Sequence, residues 1–238
     1  MPTLSILIPV YNEMDLLERV VEGVVGGELP DGFGKEIIIV DDASTDASPE
    51  IIKQLCKKYH NIIKPLTQPK NKGKGAAIRL AINAANGDYI VFQDADLEYN
   101  PNDYCDLLKP LIENKADAVY GSRFCKSESK KVKFVCHKFG NILLTFLVNL
   151  LTGLKLTDME TCYKTFHSNT IKSIPLKSNK FDIEAEITIK IAKRKLHIHE
   201  VPVNYNGRNY ASGKKITWKD GISTLIAIFK YKFFDNDE

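Results

Sequence analysis

A run of alternating carboxylates follows an apolar segment and suggests metal binding. The three residues are Asp94, Asp96 and Glu98. Carboxylate oxygens are the ligands that Mg²⁺ prefers, and a bound Mg²⁺ or Mn²⁺ can neutralise the charge of a diphosphate. The alternative is a solvated acidic turn before Asn100 and Pro101. The spacing by itself leaves both interpretations open.

Two further polar segments have the chemistry of nucleotide contacts. Asp41 and Asp42 can accept hydrogen bonds from a base or a ribose, or they can cap a helix. The loop at residues 71–75 includes Lys74 and Gly75, which offer a cation and accessible backbone to a polyphosphate just before a helix. The loop lacks the third glycine of a dinucleotide fingerprint, so a surface turn is its alternative.

Five short apolar segments must position these side chains. Strands are predicted at residues 4–10, 36–40, 62–66, 88–93 and 117–121, and helical patterns separate them. Strands that alternate with helices form crossover units, which predicts an α/β fold with a mainly parallel sheet. Because ligands bind at the carboxyl ends of such strands, we expect the polar segments to meet on one rim.

Two apolar segments in the second half are helical in pattern but shorter than the ~20 residues that a membrane span needs. Residues 139–151 carry Asn141, Thr145 and Asn149 on one face, and residues 222–234 mix apolar side chains with lysines. Each segment suits packing against the domain or lying in a membrane interface. The pattern does not choose between these two.

Length, charge and cysteine content narrow the class of protein. The 238 residues suit a single domain, and a net charge of +3 gives no indication of nucleic-acid binding. Five scattered cysteines and the lack of a leader pattern favour a reduced, cytoplasmic protein. A basic cluster at residues 126–138 fits either anionic lipid heads or a solvated face, and the sequence does not fix the oligomeric state.

Four motifs occur together in one order along the chain. They are SILIPVYNE at residues 5–13, VDDASTD at 40–46, NKGKG at 71–75 and DAD at 94–96. In this order the motifs resemble the inverting family 2 glycosyltransferases, which have the GT-A fold. Further segments resemble the polyprenyl-phosphate branch of that family, which includes dolichol-phosphate mannose synthases and dolichyl-phosphate glucosyltransferases. These segments are GSRF at 121–124, LTG at 151–153, DMETCYK at 158–164 and FDIE at 181–184.

The resemblance implies a single GT-A domain over residues 1–238, a Rossmann-like three-layer α/β/α arrangement with amphipathic helices near its C-terminus. It implies a nucleotide-sugar-binding half at residues 1–124 and an acceptor-binding half at 125–238. The implied donor site comprises Pro9, Tyr11, Glu13, Asp41, Asp42, Lys74, Gly75, Asp94, Ala95 and Asp96. Asp94, Asp96 and Glu98 would hold Mg²⁺ or Mn²⁺, although mannose synthases commonly have glutamine where Glu98 stands.

The resemblance also implies an acceptor site. Arg123 would face the acceptor phosphate or the donor diphosphate, and Arg208 and Lys214 lie in a polar segment that resembles a phosphate-proximal loop. Asp158 and Glu160 are the candidate carboxylates for a general base or for orienting sugar hydroxyls. A more acidic segment than that of the mannose synthases leaves the donor sugar open.

These residues predict metal-dependent, inverting transfer of a hexose from a UDP- or GDP-sugar to a polyprenyl phosphate at the cytoplasmic face of a membrane. A phosphate oxygen is already anionic, so this acceptor needs no strong base. The alternative is a soluble transferase of the same fold that acts on a saccharide or protein hydroxyl, for which Asp158 or Glu160 would be the base. A nucleotidyltransferase is less compatible, because residues 9–13 lack a glycine- and arginine-rich loop.

Overall fold

The computed structural model describes residues 1–125, 135–207 and 218–235. Its seven strands form one sheet. The strands are β1 (Thr3–Val10), β2 (Gly34–Asp41), β3 (Ile63–Thr67), β4 (Tyr89–Phe92), β5 (Ala118–Ser122), β6 (Lys164–His167) and β7 (Ile198–Pro202).

Helices connect and cover these strands. They are α1 (Leu17–Gly26), α2 (Ser48–Lys58), α3 (Lys74–Ala84), α4 (Tyr104–Ile112), α5 (Val135–Thr152), α6 (Ser168–Lys172), α7 (Ile183–Lys193) and α8 (Trp218–Phe229). A 3₁₀ turn at Pro101–Asp103 precedes α4, and a π-helix at Lys230–Phe234 continues α8.

The order of the strands in the sheet is β3-β2-β1-β4-β6-β5-β7. Strand β6 runs antiparallel to both of its neighbours, whereas the other pairs are parallel. Because β6 reverses direction between β4 and β5, those two strands still point the same way. The prediction of a mainly parallel α/β sheet with its carboxyl ends on one rim is therefore confirmed.

The central strand is buried on both faces, which explains its uninterrupted apolar sequence. Leu4, Ile6, Leu7 and Ile8 of β1 are all fully buried, and Ser5 between them is buried as well. A parallel strand that alternated apolar and polar residues would leave one face to solvent, so this pattern requires helices on both sides of the sheet.

Of the described elements in the second half, four were not predicted from the sequence, namely β6, α6, α7 and β7. Strand β6 starts with a charged residue, Lys164, and helix α7 carries the buried Glu184, Glu186 and Lys190. Charged residues are rarely buried unless they are paired, so hydrophobic periodicity misses elements of this kind. At the start of α2, the hydroxyl of Ser48 accepts a hydrogen bond from Glu13 N.

Helix α5 is amphipathic with its polar face turned inward. Asn141 and Thr145 are buried, and the Asn149 side chain bonds the backbone N and O of Leu156. On the opposite face Phe146 is 62% exposed. The polar stripe seen in the sequence is therefore the face that packs against the domain, and a large apolar surface remains outside.

Helix α8 and the π-helix behind it also turn apolar side chains to solvent, among them Ile226, Phe229 and Phe233. The amphipathic C-terminal helices expected from the sequence are thus present. None of the helices within the described part of the chain has the length and hydropathy to cross a membrane.

We predict that Gly75→Ala destabilises the fold and disturbs the loop that precedes α7. A Cβ on Gly75 would lie 2.7 Å from Ser178 O and 2.8 Å from Lys180 O, and backbone cannot easily yield. The expected loss in free energy of unfolding is about 1–3 kcal/mol. Urea denaturation measures it. Gly26→Ala is the matched control, because nothing lies within 4 Å of its Cβ position and the change should stay below about 1 kcal/mol. Equal effects of the two substitutions would contradict the packing described here.

Candidate active site

A cavity of about 490 Å³ opens at the carboxyl ends of β1, β2 and β4, a volume typical of ligand sites. Most of the residues expected to hold the donor line it. They are Pro9, Tyr11, Glu13, Asp42, Lys74, Asp94, Ala95 and Asp96, and the lining also includes Glu98 of the expected metal site. Lys180, Phe181 and Asp220 also line the cavity, and no role was predicted for these three from the sequence.

Asp42 organises the wall of the cavity around its own carboxylate. One oxygen accepts hydrogen bonds from Gln68 Nε2 and Lys72 N, each at 2.8 Å, and the other accepts one from Gly73 N at 2.7 Å. The carboxylate therefore fixes the loop that leads into α3. Its neighbour Asp41 is buried outside the cavity lining, where it accepts a hydrogen bond from Ser44 N.

Gly75 is likewise not part of the lining. It lies beneath the backbone of residues 178–180, and the adjacent Ala76 N donates to Asn179 O at 3.0 Å. The glycine permits close approach between α3 and this loop. Its place in the fold is thus explained by packing rather than by an exposed contact surface.

Lys74 forms ion pairs across the cavity floor. Its Nζ lies 2.8 Å from Asp94 Oδ1 and 3.2 Å from Glu184 Oε1. Burial raises the pKa of Asp94, but the charge and hydrogen bond of Lys74 outweigh it, so the pKa lies below its usual value. Burial likewise lowers the pKa of Lys74, and Asp94 and Glu184 more than compensate. Both groups are therefore charged at neutral pH.

The other two carboxylates of the alternating run have partners of their own. Asp96 Oδ1 accepts a hydrogen bond from Glu98 N at 3.1 Å, and Glu98 Oε2 accepts one from Tyr205 OH at 2.7 Å. Across the described ranges, no three His, Cys, Asp or Glu side chains lie close enough to hold a metal ion by themselves. Asp94, Asp96 and Glu98 share the cavity without converging on one point.

Arg123 and Asp158 form a buried, two-point ion pair just outside the cavity lining. Arg123 Nε donates to Asp158 Oδ2 at 2.6 Å, and its Nη2 donates to Oδ1 at 2.7 Å. Asn141 of α5 donates to the same carboxylate at 2.8 Å. Burial raises the pKa of Asp158, yet the arginine and these hydrogen bonds hold it below its usual range. Asp158 is thus a poor proton acceptor and a firm anchor for the guanidinium.

The pKa of Glu160 is shifted in the opposite direction to that of Asp158. Burial, opposed by Lys164, raises its pKa to about 7, and the nearby Glu184 adds to the rise. Its Oε1 is buried without a hydrogen-bond partner among the described residues. Of the two predicted carboxylates, Glu160 is therefore the one whose proton can be exchanged near neutral pH.

Lys164, which the sequence analysis quoted only within a motif, secures this region. Its fully buried Nζ donates to the carbonyls of Met159 and Thr161 and to Glu184 Oε2 at 2.5 Å. The sequence around Lys164 gave no signal of this arrangement, since neither β6 nor the buried partner Glu184 was predicted. The predicted acceptor residues Arg208 and Lys214, and the basic cluster up to residue 134, lie outside the described residues.

The raised pKa of Glu160 predicts a pH-dependent stability. In the unfolded chain this carboxyl titrates near 4.5, and in the folded chain near 7. The folded state binds more proton between these values, so the contribution of Glu160 to stability falls as the pH rises through this interval.

Glu160→Gln should therefore raise the free energy of unfolding by about 1–3 kcal/mol at pH 8 and change it little at pH 4. Denaturant titrations at both pH values measure this, with the exposed Glu18→Gln as control. A difference between variant and wild type that is the same at both pH values would contradict the raised pKa.

Comparisons with known proteins agree with this geometry. Residues 5–174 match the family described as Glycosyl transferase family 2. The chain is 28% identical over 229 residues to the UDP-N-acetylglucosamine–dolichyl-phosphate N-acetylglucosaminyltransferase of Methanococcus voltae, with 89% of each chain covered. It is also 28% identical to a dolichyl-phosphate beta-glucosyltransferase of Trichomonas vaginalis, over 85% of this chain and 65% of that protein.

A solved structure shares the whole architecture. Glucosyl-3-phosphoglycerate synthase from Mycobacterium tuberculosis, in complex with Mn²⁺, UDP and glucosyl-3-phosphoglycerate, aligns with a TM-score of 0.73 and covers 99% of this chain and 81% of its own. At 17% identity this likeness establishes the GT-A fold alone. Because the family match extends over well more than half of the sequence, the chain belongs to glycosyltransferase family 2 and is a glycosyltransferase.

Proposed function

We propose that this enzyme transfers a hexosyl group from a UDP- or GDP-sugar to a polyprenyl phosphate, such as a dolichyl or undecaprenyl phosphate. The observation that carries the proposal is the position of α5. Its inner face reaches the Arg123–Asp158 pair through Asn141, while its outer face leaves Phe139, Phe146 and other apolar side chains exposed. A lipid with an anionic head matches both faces.

The exposed apolar surface supports attachment to a membrane. Leu143 and Leu150 of α5 and Ile226, Phe233 and Phe234 near α8 are more than half exposed, and α5 packs beside α8. Large apolar patches on a protein surface mark interaction sites. We propose that these helices lie in the interface of the cytoplasmic leaflet and bring the cavity to its substrate.

The names of the relatives point the same way. The M. voltae and T. vaginalis proteins are both named as dolichyl-phosphate glycosyltransferases. The first name also specifies a UDP-sugar, so UDP-sugars are the first donors to test.

The alternating carboxylates fit a divalent cation by their chemistry, since all three offer hard oxygen ligands to the cavity. They do not form a complete site by themselves, so oxygens of the donor diphosphate would have to complete the coordination. When bound, Mg²⁺ or Mn²⁺ would stabilise the charge of the departing diphosphate. Asp94, Asp96 and Glu98 are the residues proposed to hold it.

The other proposed roles, binding and orienting the two substrates, belong to side chains and backbone of the protein. Lys74 would donate to the diphosphate, while the loop fixed by Asp42 shapes the nucleoside pocket beside Tyr11. Arg123, oriented by Asp158, would attract the acceptor phosphate. One anionic phosphate oxygen then attacks the anomeric carbon as the bond to the diphosphate breaks, with inversion and without a covalent intermediate.

A second candidate function is transfer to a saccharide or protein hydroxyl. The observation in its favour is Glu160, whose pKa of about 7 suits a general base at neutral pH. A hydroxyl acceptor needs such a base, and a phosphate does not.

The acceptor assay separates the two candidates. Nucleotide release from UDP- and GDP-sugars is measured with Mg²⁺ or Mn²⁺, with and without a short-chain polyprenyl phosphate. We expect the lipid phosphate to raise nucleotide release from one donor at least about tenfold. The bound phosphate places a nucleophile in line with the anomeric carbon, and water does not supply an equally aligned one. If nucleotide release does not depend on the lipid but rises when a saccharide is added, the second candidate function is established instead.

Glu160→Gln tests the same distinction within the site. With polyprenyl phosphate as acceptor, we expect kcat to stay within about tenfold of wild type, since removing a general base typically costs about 10²–10⁴-fold. A loss in that larger range, with kcat following the ionisation of Glu160 near pH 7, would assign it the role of base.

Asp96→Ala tests the proposed metal site. We expect transfer to fall by about a hundredfold or more, because the charge on the leaving diphosphate would lose its stabilisation. Asp106→Ala, an exposed aspartate on α4, is the control with the same change in charge. Full activity of Asp96→Ala at saturating metal would refute this assignment.

A further inference from the structure

Glu184 is a buried carboxylate that the proposed reaction does not use. Its side chain is 4% exposed, and it connects two lysines. Oε2 lies 2.5 Å from Lys164 Nζ, and Oε1 lies 3.2 Å from Lys74 Nζ, an ion-pair contact without the geometry of a hydrogen bond. Lys74 also contacts Asp94 at 2.8 Å, so its ammonium stands between two carboxylates, one of which faces the cavity.

Lys74 contacts one oxygen of Asp94, the carboxylate that lines the cavity, and a bound donor diphosphate or its metal would compete with that contact. A buried ammonium that lost its carboxylate would be strongly destabilised, because its desolvation would no longer be compensated. Glu184 would offset this loss, since it offers Lys74 a second carboxylate within ion-pair distance. The lysine can then turn toward a diphosphate without becoming an unpaired buried charge.

The surroundings of Glu184 hold it in place for this task. It lies in the first turn of α7, where the helix dipole favours a negative charge. Lys164 fixes its other oxygen and is itself bound to the carbonyls of Met159 and Thr161. The ring of Phe181, 6.0 Å from Lys74 Nζ, borders the same space.

We propose that Glu184 is a positioning residue for donor binding, which holds the Lys74 ammonium at the diphosphate subsite and allows it to release Asp94. The inference rests on the proposed function only in that the cavity takes a nucleoside diphosphate. Glu184 itself touches no reacting atom. It acts through Lys74.

A double-mutant cycle with UDP as the probe tests this role. Affinity is measured by calorimetry with Mg²⁺ present, for wild type, Glu184→Gln, Lys74→Met and the double variant. We expect Glu184→Gln to weaken UDP binding about tenfold in wild type, as expected for a charge-assisted contact. In the Lys74→Met background the same change should have less than about a twofold effect. Equal losses in both backgrounds, or no loss in wild type, would overturn the proposal.

A second cycle excludes a purely structural role. Glu184→Gln leaves the buried Lys164 without its carboxylate and can lower stability, so the substitution is repeated in Lys164→Met. The loss of UDP affinity should persist at about tenfold, because it depends on Lys74. Its disappearance would show that Glu184 acts only by supporting Lys164, and would overturn the proposal.

Glu186→Gln is the matched control. Glu186 is fully buried on the same helix and pairs with Lys190 at 2.9 Å, which keeps Asp235 as a second partner. It also accepts hydrogen bonds from Lys177 N and Ser178 N, and the amide oxygen of glutamine can retain one of them. We expect UDP affinity within about twofold of wild type, whatever happens to stability. A loss equal to that of Glu184→Gln would count against a specific role. Failure of polyprenyl phosphate as an acceptor would leave these UDP measurements unchanged, so the two proposals can fail separately.

Discussion

The rim of the sheet depends on one constraint, namely that the lysines and the arginine buried there each need a carboxylate from a different segment. Lys164 is fully buried in β6 and needs Glu184 of α7 together with two loop carbonyls. Lys74 at the start of α3 needs Asp94 after β4. Because removing one partner of a buried pair is strongly destabilising, these contacts lock four segments around the cavity.

A similar pair joins the apolar helix to the site. Asp158 neutralises Arg123 and also accepts a hydrogen bond from Asn141, so the orientation of α5 and the direction of the guanidinium are set together. The polar side chains of α5 make hydrogen bonds within the domain, so the apolar side of the helix faces outward. The proposed membrane-facing surface and the proposed anion-binding role of Arg123 would thereby depend on the same contacts.

Much of the first half could be predicted from the sequence, because buried parallel strands and polar strand ends leave a local pattern. Such patterns report a residue's own environment and not its distant partner. The bond between Tyr205 and Glu98 spans 107 residues, and nothing local to either residue indicates it. The same reason explains why Asp158, a reasonable base by type, is an anchor for Arg123, and why charged β6 was missed. The donor and acceptor roles of the individual residues remain predictions.

The most direct test of the account is the structure of the reaction product. Incubation of the enzyme with an α-linked nucleotide sugar and a short-chain polyprenyl phosphate yields a lipid fraction whose ¹H and ³¹P NMR spectra report the new linkage. The account predicts a sugar–phosphate diester to the lipid with a β-anomeric configuration, as a single displacement by a phosphate oxygen requires. A retained α-anomer, or a product without a bond between sugar and phosphate, would contradict it.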